Sequence, residues 1–238
     1  ITLAPGEKKT VAFELDRIYA GFVCAAADAA VKAEITCCET DENGSKEFMS
    51  FAGAGEYRGF YMHSAGKLIA ELECGDSGCE LELGFIASCY PVEKEAVTST
   101  SDDGLNQVLD TCSHTLKICR QTLHLDSPRH CEPLACTGDY YIETLMTAFS
   151  FGDMRLAEFD VMRTAELIRN NGGRMFHTTY SLIWVRMLLD VYKFTGNKDL
   201  LKKCEDALIM LLGLFETYIG KTQLIETPPD FMFVDWIY

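Results

Sequence analysis

Between residues 126 and 141 the chain reads DSPRHCEPLACTGDYY. Three carboxylates, an arginine, a histidine, two cysteines and two prolines fall in one loop that runs into a helix pattern. Pro128 and Pro133 rule out a continuous helix through 126–134, so Asp126, Arg129, His130 and Glu132 sit on a constrained loop. Helix resumes at Thr137-Gly138-Asp139. That puts Asp139 in the first turn, where the helix dipole favours an ionised carboxylate. Glu132 stands beside Pro133, Leu134, Ala135 and Cys136, and in a cavity that setting raises its pKa by desolvation while Asp139 stays charged. Two carboxyl groups pushed apart in this way suit general acid catalysis at a glycosidic bond. A plainer alternative has Asp139 as a capping residue and Glu132 paired to Arg129 on the surface.

Two further stretches hold candidate side chains. In GRMFHTTYSLIW (173–184), His177 falls near a helix N-cap, with Tyr180 and Trp184 at core spacing. The other reading sets His177 and Tyr180 on the rim of a pocket shared with the 126–139 loop. LIETPPDF (224–231) is a loop of the length that often carries function, with Glu226 as a candidate base. His63, His114 and His124 sit in strand or helix patterns and read as structural. Gly172-Gly173 reads as a turn after a helix, without the context of a phosphate loop.

The elements that must position these groups come in two kinds. Up to about residue 95 the hydrophobic period is two. Val31, Ala33, Ile35 and Cys37 share one face, as do Leu68, Ala70, Leu72 and Cys74, and Leu81, Leu83 and Phe85. Turn clusters DENGS (41–45) and CGDSG (74–78) separate these runs, which predicts half-buried antiparallel strands in a β-sandwich, with Ile35, Leu72 and Leu83 in its core. After Pro91 and STSDDG (99–104) the period becomes 3.6. Leu105, Val108, Leu109, Cys112, Leu116 and Cys119 form a helix stripe, with Ser101 or Asp102 as N-cap. Further helices are predicted over 138–150, 154–170, 179–195 and 198–219, joined as antiparallel hairpins; Gly196 ends the fourth helix and Asn197 starts the next. The expected domains are 1–96 and 97–238.

Composition narrows the function. With 238 residues and 48% hydrophobic content, the chain has enough apolar material for a large core. Its formal net charge of −15 disfavours nucleic-acid binding, which needs a basic face. No apolar run reaches membrane-spanning length, and the N-terminus carries no signal-peptide pattern. Eleven cysteines at irregular spacing, with no C-x-x-C, read as small hydrophobes in a reducing compartment. A zinc site using Cys74, Cys79 or the Cys131/Cys136 pair is the alternative. The chain starts on Ile and stops on FVDWIY, and both ends read as cut from something longer.

The run Asp126-x-Pro128…Glu132-x-x-x-x-Thr137-Gly138-Asp139 resembles the active-site segment of bacterial α-L-rhamnosidases of the inverting (α/α)6-barrel type, whose typical form is DCPxR(D/E)ERLGWTGD. IYAGFV (18–23) resembles their sandwich strand "-TGFVRL-", and EYRGFYM (56–62) their "-HGFRYV-". SDDGLNQVLDTCSHT is similar to the helix opening the barrel, and FVDWIY (233–238) to the later "GDW" signature. The resemblance covers nearly the whole chain. It implies a β-sandwich followed by the N-terminal part of an (α/α)6 catalytic barrel. It also implies Glu132 as the general acid protonating the glycosidic oxygen, with Asp126 and Asp139 holding sugar hydroxyls. Arg129, His177, Tyr180, Asp235 and Trp236 would complete the pocket, Trp236 as a stacking surface. The family's aromatic four residues after the acid is Cys136 here, its arginine falls one position earlier at Arg129, and its base glutamate belongs to a helix beyond residue 238. The expectation is a cytoplasmic, cofactor- and metal-free glycoside hydrolase taking a carbohydrate substrate, with a homodimer as one candidate assembly, and inactive as this fragment alone. The rival is a non-catalytic carbohydrate-binding protein or inactive paralogue of the same fold.

Overall fold

A computed structural model of the chain describes residues 1–40, 43–130, 136–226 and 228–229. The chain divides into two compact units. One comprises Ile1–Cys89 with Pro128–His130, the other Tyr90–Ser127 with Cys131–Tyr238.

The first unit is antiparallel β. Its strands are β1 (Thr2–Leu3), β2 (Lys8–Ala27), β3 (Val31–Cys38), β4 (Ser45–Phe51), β5 (Gly55–Arg58), β6 (His63–Cys74) and β7 (Cys79–Ala87). The hydrogen-bonded order is β1-β7-β2-β6-β3-β4, with β5 also on β2. Strand β2 makes the two-layer arrangement possible. Its first part, Lys8–Glu14, pairs with β6; the register breaks between Glu14 and Tyr19; its last part, Gly21–Ala27, pairs with β7. Side chains from the alternating positions meet in one core: Val23, Ala25 and Ala27 of β2, Val31, Ala33 and Ile35 of β3, Leu68, Ala70 and Leu72 of β6, and Leu81 of β7. Each such Leu or Ile is worth about 1.5–3 kcal/mol of burial.

Ile35 and Leu72 are buried as expected, whereas Leu83 is only half-buried. It lines a cavity of about 270 Å³ with Phe13, Leu15, Val23 and Phe85, beside the break in the β2–β6 register after Glu14. Cys37 and Cys38 are both buried although they follow one another, and burial pushes the Cys37 thiol up to about 12. The buried carboxylate of Glu47 on β4 takes a hydrogen bond from the Tyr57 hydroxyl of β5 and lies 2.8 Å from Nε2 of His63 on β6. Nδ1 of His63 meets Ser45 Oγ at 2.6 Å. Three strands are thereby tied through one acid.

The second unit is helical: α1 (Asp103–Cys119), α2 (Thr137–Ser150), α3 (Arg155–Asn170), α4 (Thr178–Thr195) and α5 (Lys198–Glu216). The expected caps are present. Asp102 accepts from the Leu105 amide at 3.0 Å, and Asn197 from that of Leu200 at 3.1 Å. Gly196 closes α4 at φ +67°, a left-handed conformation that only glycine adopts without strain. The helices pack in alternation, α2 chiefly on α4 and α3 chiefly on α5, so sequence neighbours stand in different layers. Trp184 of α4 is fully buried and donates from Nε1 to the Val161 carbonyl of α3 at 3.1 Å. That fixes it as core.

Two helices depart from their amphipathic reading. On α1 only the C-terminal half of the stripe is covered: Leu116 and Cys119 are buried, whereas Leu105, Val108 and Cys112 are exposed. Helix α2 is inverted. It buries Thr137, Tyr140, Glu143, Thr144 and Thr147, and turns Ile142, Met146 and Phe149 outward. Among the described residues no helix is long and apolar enough to cross a membrane.

Candidate active site

The start of α2 is fixed by α4. A Cβ on Gly138 would lie 2.6 Å from the Tyr180 ring, so the second residue of the helix has to be glycine for that ring to lie on it. The Thr137 hydroxyl donates to the Tyr180 carbonyl at 2.6 Å, locking the two helix starts together. Tyr180 is buried, and the His177 ring meets it edge-on at 5.2 Å between centroids. His177 occupies the N-cap position of α4 but makes no side-chain capping bond, and its other face meets Phe176. His177 and Tyr180 are thus brought to the start of α2 by Thr137 and Gly138. Asp139 is half-buried in the first turn of α2.

A group of ionisable side chains continues inward from Asp139. One turn on, Glu143 is only 7% exposed, and burial first, then the charges of Asp160, Asp139 and Asp126, push its carboxyl up to about 9. The half-buried Asp126 belongs to the same field. It and Glu143 add to the burial that raises the Cys119 thiol to about 12. Asp160 of α3 is raised by burial too, although its Oδ2 is held 2.6 Å from Nδ1 of the buried His124. Nε2 of His124 lies 3.1 Å from the Thr147 hydroxyl, so this histidine bridges α3 and α2. His124 was expected within a strand or helix pattern; it stands instead in an isolated bridge with Arg120. Arg120 is itself buried, its guanidinium over the rings of Tyr90 and Phe151 at 5.2 and 4.7 Å.

Two further sequence candidates have partners of their own. Arg129 groups with the β unit, donating to the Asn43 carbonyl at 3.0 Å and standing 3.8 Å from a Glu39 carboxylate oxygen. Glu226 is exposed and takes hydrogen bonds from the amide and hydroxyl of Thr222, which lower its pKa and hold its loop. Glu132, Asp235 and Trp236 lie outside the described residues. Among the described residues no group of three His, Cys, Asp or Glu is placed to hold a metal ion. A groove of about 790 Å³ in the β unit, lined by Lys8, Lys32, Glu34, Phe48, Glu71 and Glu73, includes none of the 126–139 residues.

Glu143 is the ionisable residue that sequence reasoning passed over. Its signal was present, because it falls on the stripe Thr137, Tyr140, Thr144, Thr147 and not on the apolar one.

No family model and no curated protein sequence matches the chain. Solved structures do. A GH78 family rhamnosidase of Bacillus sp. GL1 superposes with a TM-score of 0.81 over 98% of this chain at 17% identity. The chain has a rhamnosidase fold. A rhamnosidase from Klebsiella oxytoca with rhamnose bound gives a TM-score of 0.73 at 17% identity, and the α-L-rhamnosidase from Dictyoglomus thermophilum 0.65 at 13%. The chain spans 27%, 54% and 29% of those three chains respectively. The likeness identifies the β unit as the sandwich of that fold and the five helices as part of its (α/α)6 barrel.

Proposed function

We propose that the chain is part of a glycoside hydrolase that releases a terminal α-linked deoxysugar of the rhamnose type with inversion. Glu132 is the general acid, and the base belongs to a helix beyond residue 238. Inversion needs these two carboxyl groups about 6.5–9.5 Å apart, with a water between the base and the anomeric carbon. Asp126 and Asp139 hold sugar hydroxyls; His177, Tyr180, Asp235 and Trp236 line the pocket, Trp236 as the stacking surface. The protein works in the cytoplasm, where its cysteines stay reduced, and uses no metal or cofactor.

What supports the reading most is a coincidence of fold and chemistry. The chain superposes along its length on rhamnosidases, and the helix start carrying Thr137-Gly138-Asp139 is where Asp126, Asp139 and Glu143 share one electrostatic field. A carboxyl as strongly perturbed as that of Glu143 is a mark of functional sites. The test is a panel of nitrophenyl glycosides offered to the full-length protein. Turnover of the α-L-rhamnoside with inverted product is expected, and no turnover of any member contradicts the proposal.

A second reading, a non-catalytic paralogue that still binds carbohydrate, draws on Cys136, which is buried where the resemblance calls for an aromatic wall. Rhamnose binding without turnover in the same panel selects it.

A further inference from the structure

The reaction proposed above assigns no part to Glu143. Yet this residue is more than nine-tenths buried, at 7% exposure, and among the described residues its Oε2 has no hydrogen-bond partner. Buried polar atoms are normally satisfied, so one left open beside a candidate site calls for a partner that is absent from the chain itself. The ionisable groups facing it come from several elements. They are Asp160 on α3, Asp139 and the Tyr140 phenol on α2, Asp126 in the loop and the Cys119 thiol on α1. None of these is a cation that would hold Glu143 ionised, and burial keeps its carboxyl protonated up to about pH 9.

Protonation changes what the group can do. An ionised carboxylate only accepts hydrogen bonds, whereas a neutral carboxyl also donates one. Asp126 and Asp139 as carboxylates take the protons of sugar hydroxyls and give none back. A hydroxyl oxygen in the same pocket still needs a donor. Asp160 also has one open oxygen, Oδ1, but its Oδ2 is engaged by His124 at 2.6 Å; Glu143 is the open carboxyl that lies one helical turn from Asp139.

We propose that Glu143 is a specificity-determining residue of this site, a carboxylic acid that donates a hydrogen bond to a hydroxyl oxygen of the bound sugar. The assignment rests on the glycosidase reading and goes beyond it. It names one residue that selects for a ligand hydroxyl used as acceptor, one turn below the residue that takes hydroxyls as donors.

Linkage supplies a test that a purely structural role would not pass. A ligand that binds only the protonated form raises the pKa of the group it binds. The experiment follows the Glu143 carboxyl carbon by NMR from pH 4 to 10 in the full-length protein, with and without saturating L-rhamnose, using Glu143→Gln to assign the resonance. Calorimetry then gives L-rhamnose affinity for wild type, Glu143→Gln and Glu143→Leu between pH 6 and 10. Expected are a neutral Glu143 at pH 7, an upward shift of its titration by the sugar, and a wild-type affinity that falls above about pH 9 where that of the Gln variant stays flat. Leu, with neither donor nor acceptor, weakens binding roughly 10- to 100-fold. A charged Glu143 at pH 7, a titration unmoved by bound rhamnose, or a Gln variant with the wild-type pH profile overturns the assignment and leaves the glycosidase reading standing. If L-rhamnose does not bind at all, the assignment falls, and the nitrophenyl glycoside panel decides the glycosidase reading separately.

Discussion

Two glutamates in this chain are almost equally buried, and they are treated in opposite ways. Glu47 on β4 is 5% exposed, and each of its oxygens is met, one by the Tyr57 hydroxyl and the other by His63 at 2.8 Å. Ser45 then engages the far side of the histidine ring. Glu143 on α2 is 7% exposed, and among the described residues Oε2 meets no hydrogen-bond partner. A satisfied polar network ties its surroundings together, whereas an open polar atom costs stability and is kept where something else requires it. The β unit thus uses its buried acid as a fastener. The helical unit holds its own acid in reserve for a ligand.

That contrast can be broken by removing partners. His63→Ala strips Glu47 of one of its two partners and should destabilise the β unit by about 3 kcal/mol, the scale for orphaning one side of a buried polar pair. Hydrogen exchange should speed up at the amides of β4, β5 and β6 and stay unchanged in α2. Unaltered exchange in the strands would mean that Glu47 is no fastener.

Glu143→Gln should act with the opposite sign. The folded-state pKa of Glu143, about 9, lies above its ordinary value of about 4.3. The folded chain therefore binds more protons than the unfolded one between those limits, and its stability falls as pH rises through that window. Glutamine removes this penalty. The variant should match wild type near pH 4 and exceed it by roughly 4 kcal/mol at pH 7, at 1.36 kcal/mol per pH unit. Thermal melts across pH check this, and a difference that does not grow with pH contradicts it. Any slope left in the Gln variant belongs in part to Asp160, which burial shifts the same way.

Gly138→Ala gives the smallest effect and sharpens the account of how the site is held. Alanine normally stabilises a helix interior by about 1 kcal/mol over glycine. Here its methyl would lie 2.6 Å from the Tyr180 ring. A net loss of about 1–3 kcal/mol is expected. Adding Tyr180→Ala should give a double variant less unstable than the two losses summed. Strict additivity would show that the two helix starts are not coupled there.

Much of the framework was legible because local chemistry dictates it. The alternation in β3 and β6, the Asp102 and Asn197 caps and the Gly196 stop each act within a few residues, and each is where the sequence put it. The two partners of β2 were not legible, since a period-two pattern does not say which strand lies alongside, and Leu83 came out half-buried beside the break in the β2–β6 register. The covered part of α1 was overstated for a similar reason. A stripe predicts a face, whereas burial needs a neighbour, and among the described residues Leu105 and Val108 have too little above them. Helix α2 misleads the rule altogether, because its inward face is polar. Of the candidate site, the turn at 137–139 could be read from its glycine and first-turn aspartate. Glu143 was signalled only by its place on the polar stripe of α2, which hydrophobic patterning hides because it assigns a glutamate to the surface by default.

The central claim is that the 126–139 segment carries the acid of a glycosidase, and one comparison tests it most directly. In the full-length protein, Glu132→Gln keeps the shape of the side chain and removes its transferable proton. Cleavage of natural rhamnosides should fall by about 10²–10⁴, the scale of general acid catalysis. Dinitrophenyl rhamnosides, whose leaving group needs no proton, should lose much less. If the Gln variant cleaves natural glycosides at the wild-type rate, Glu132 is not the acid and the catalytic reading of the segment is wrong.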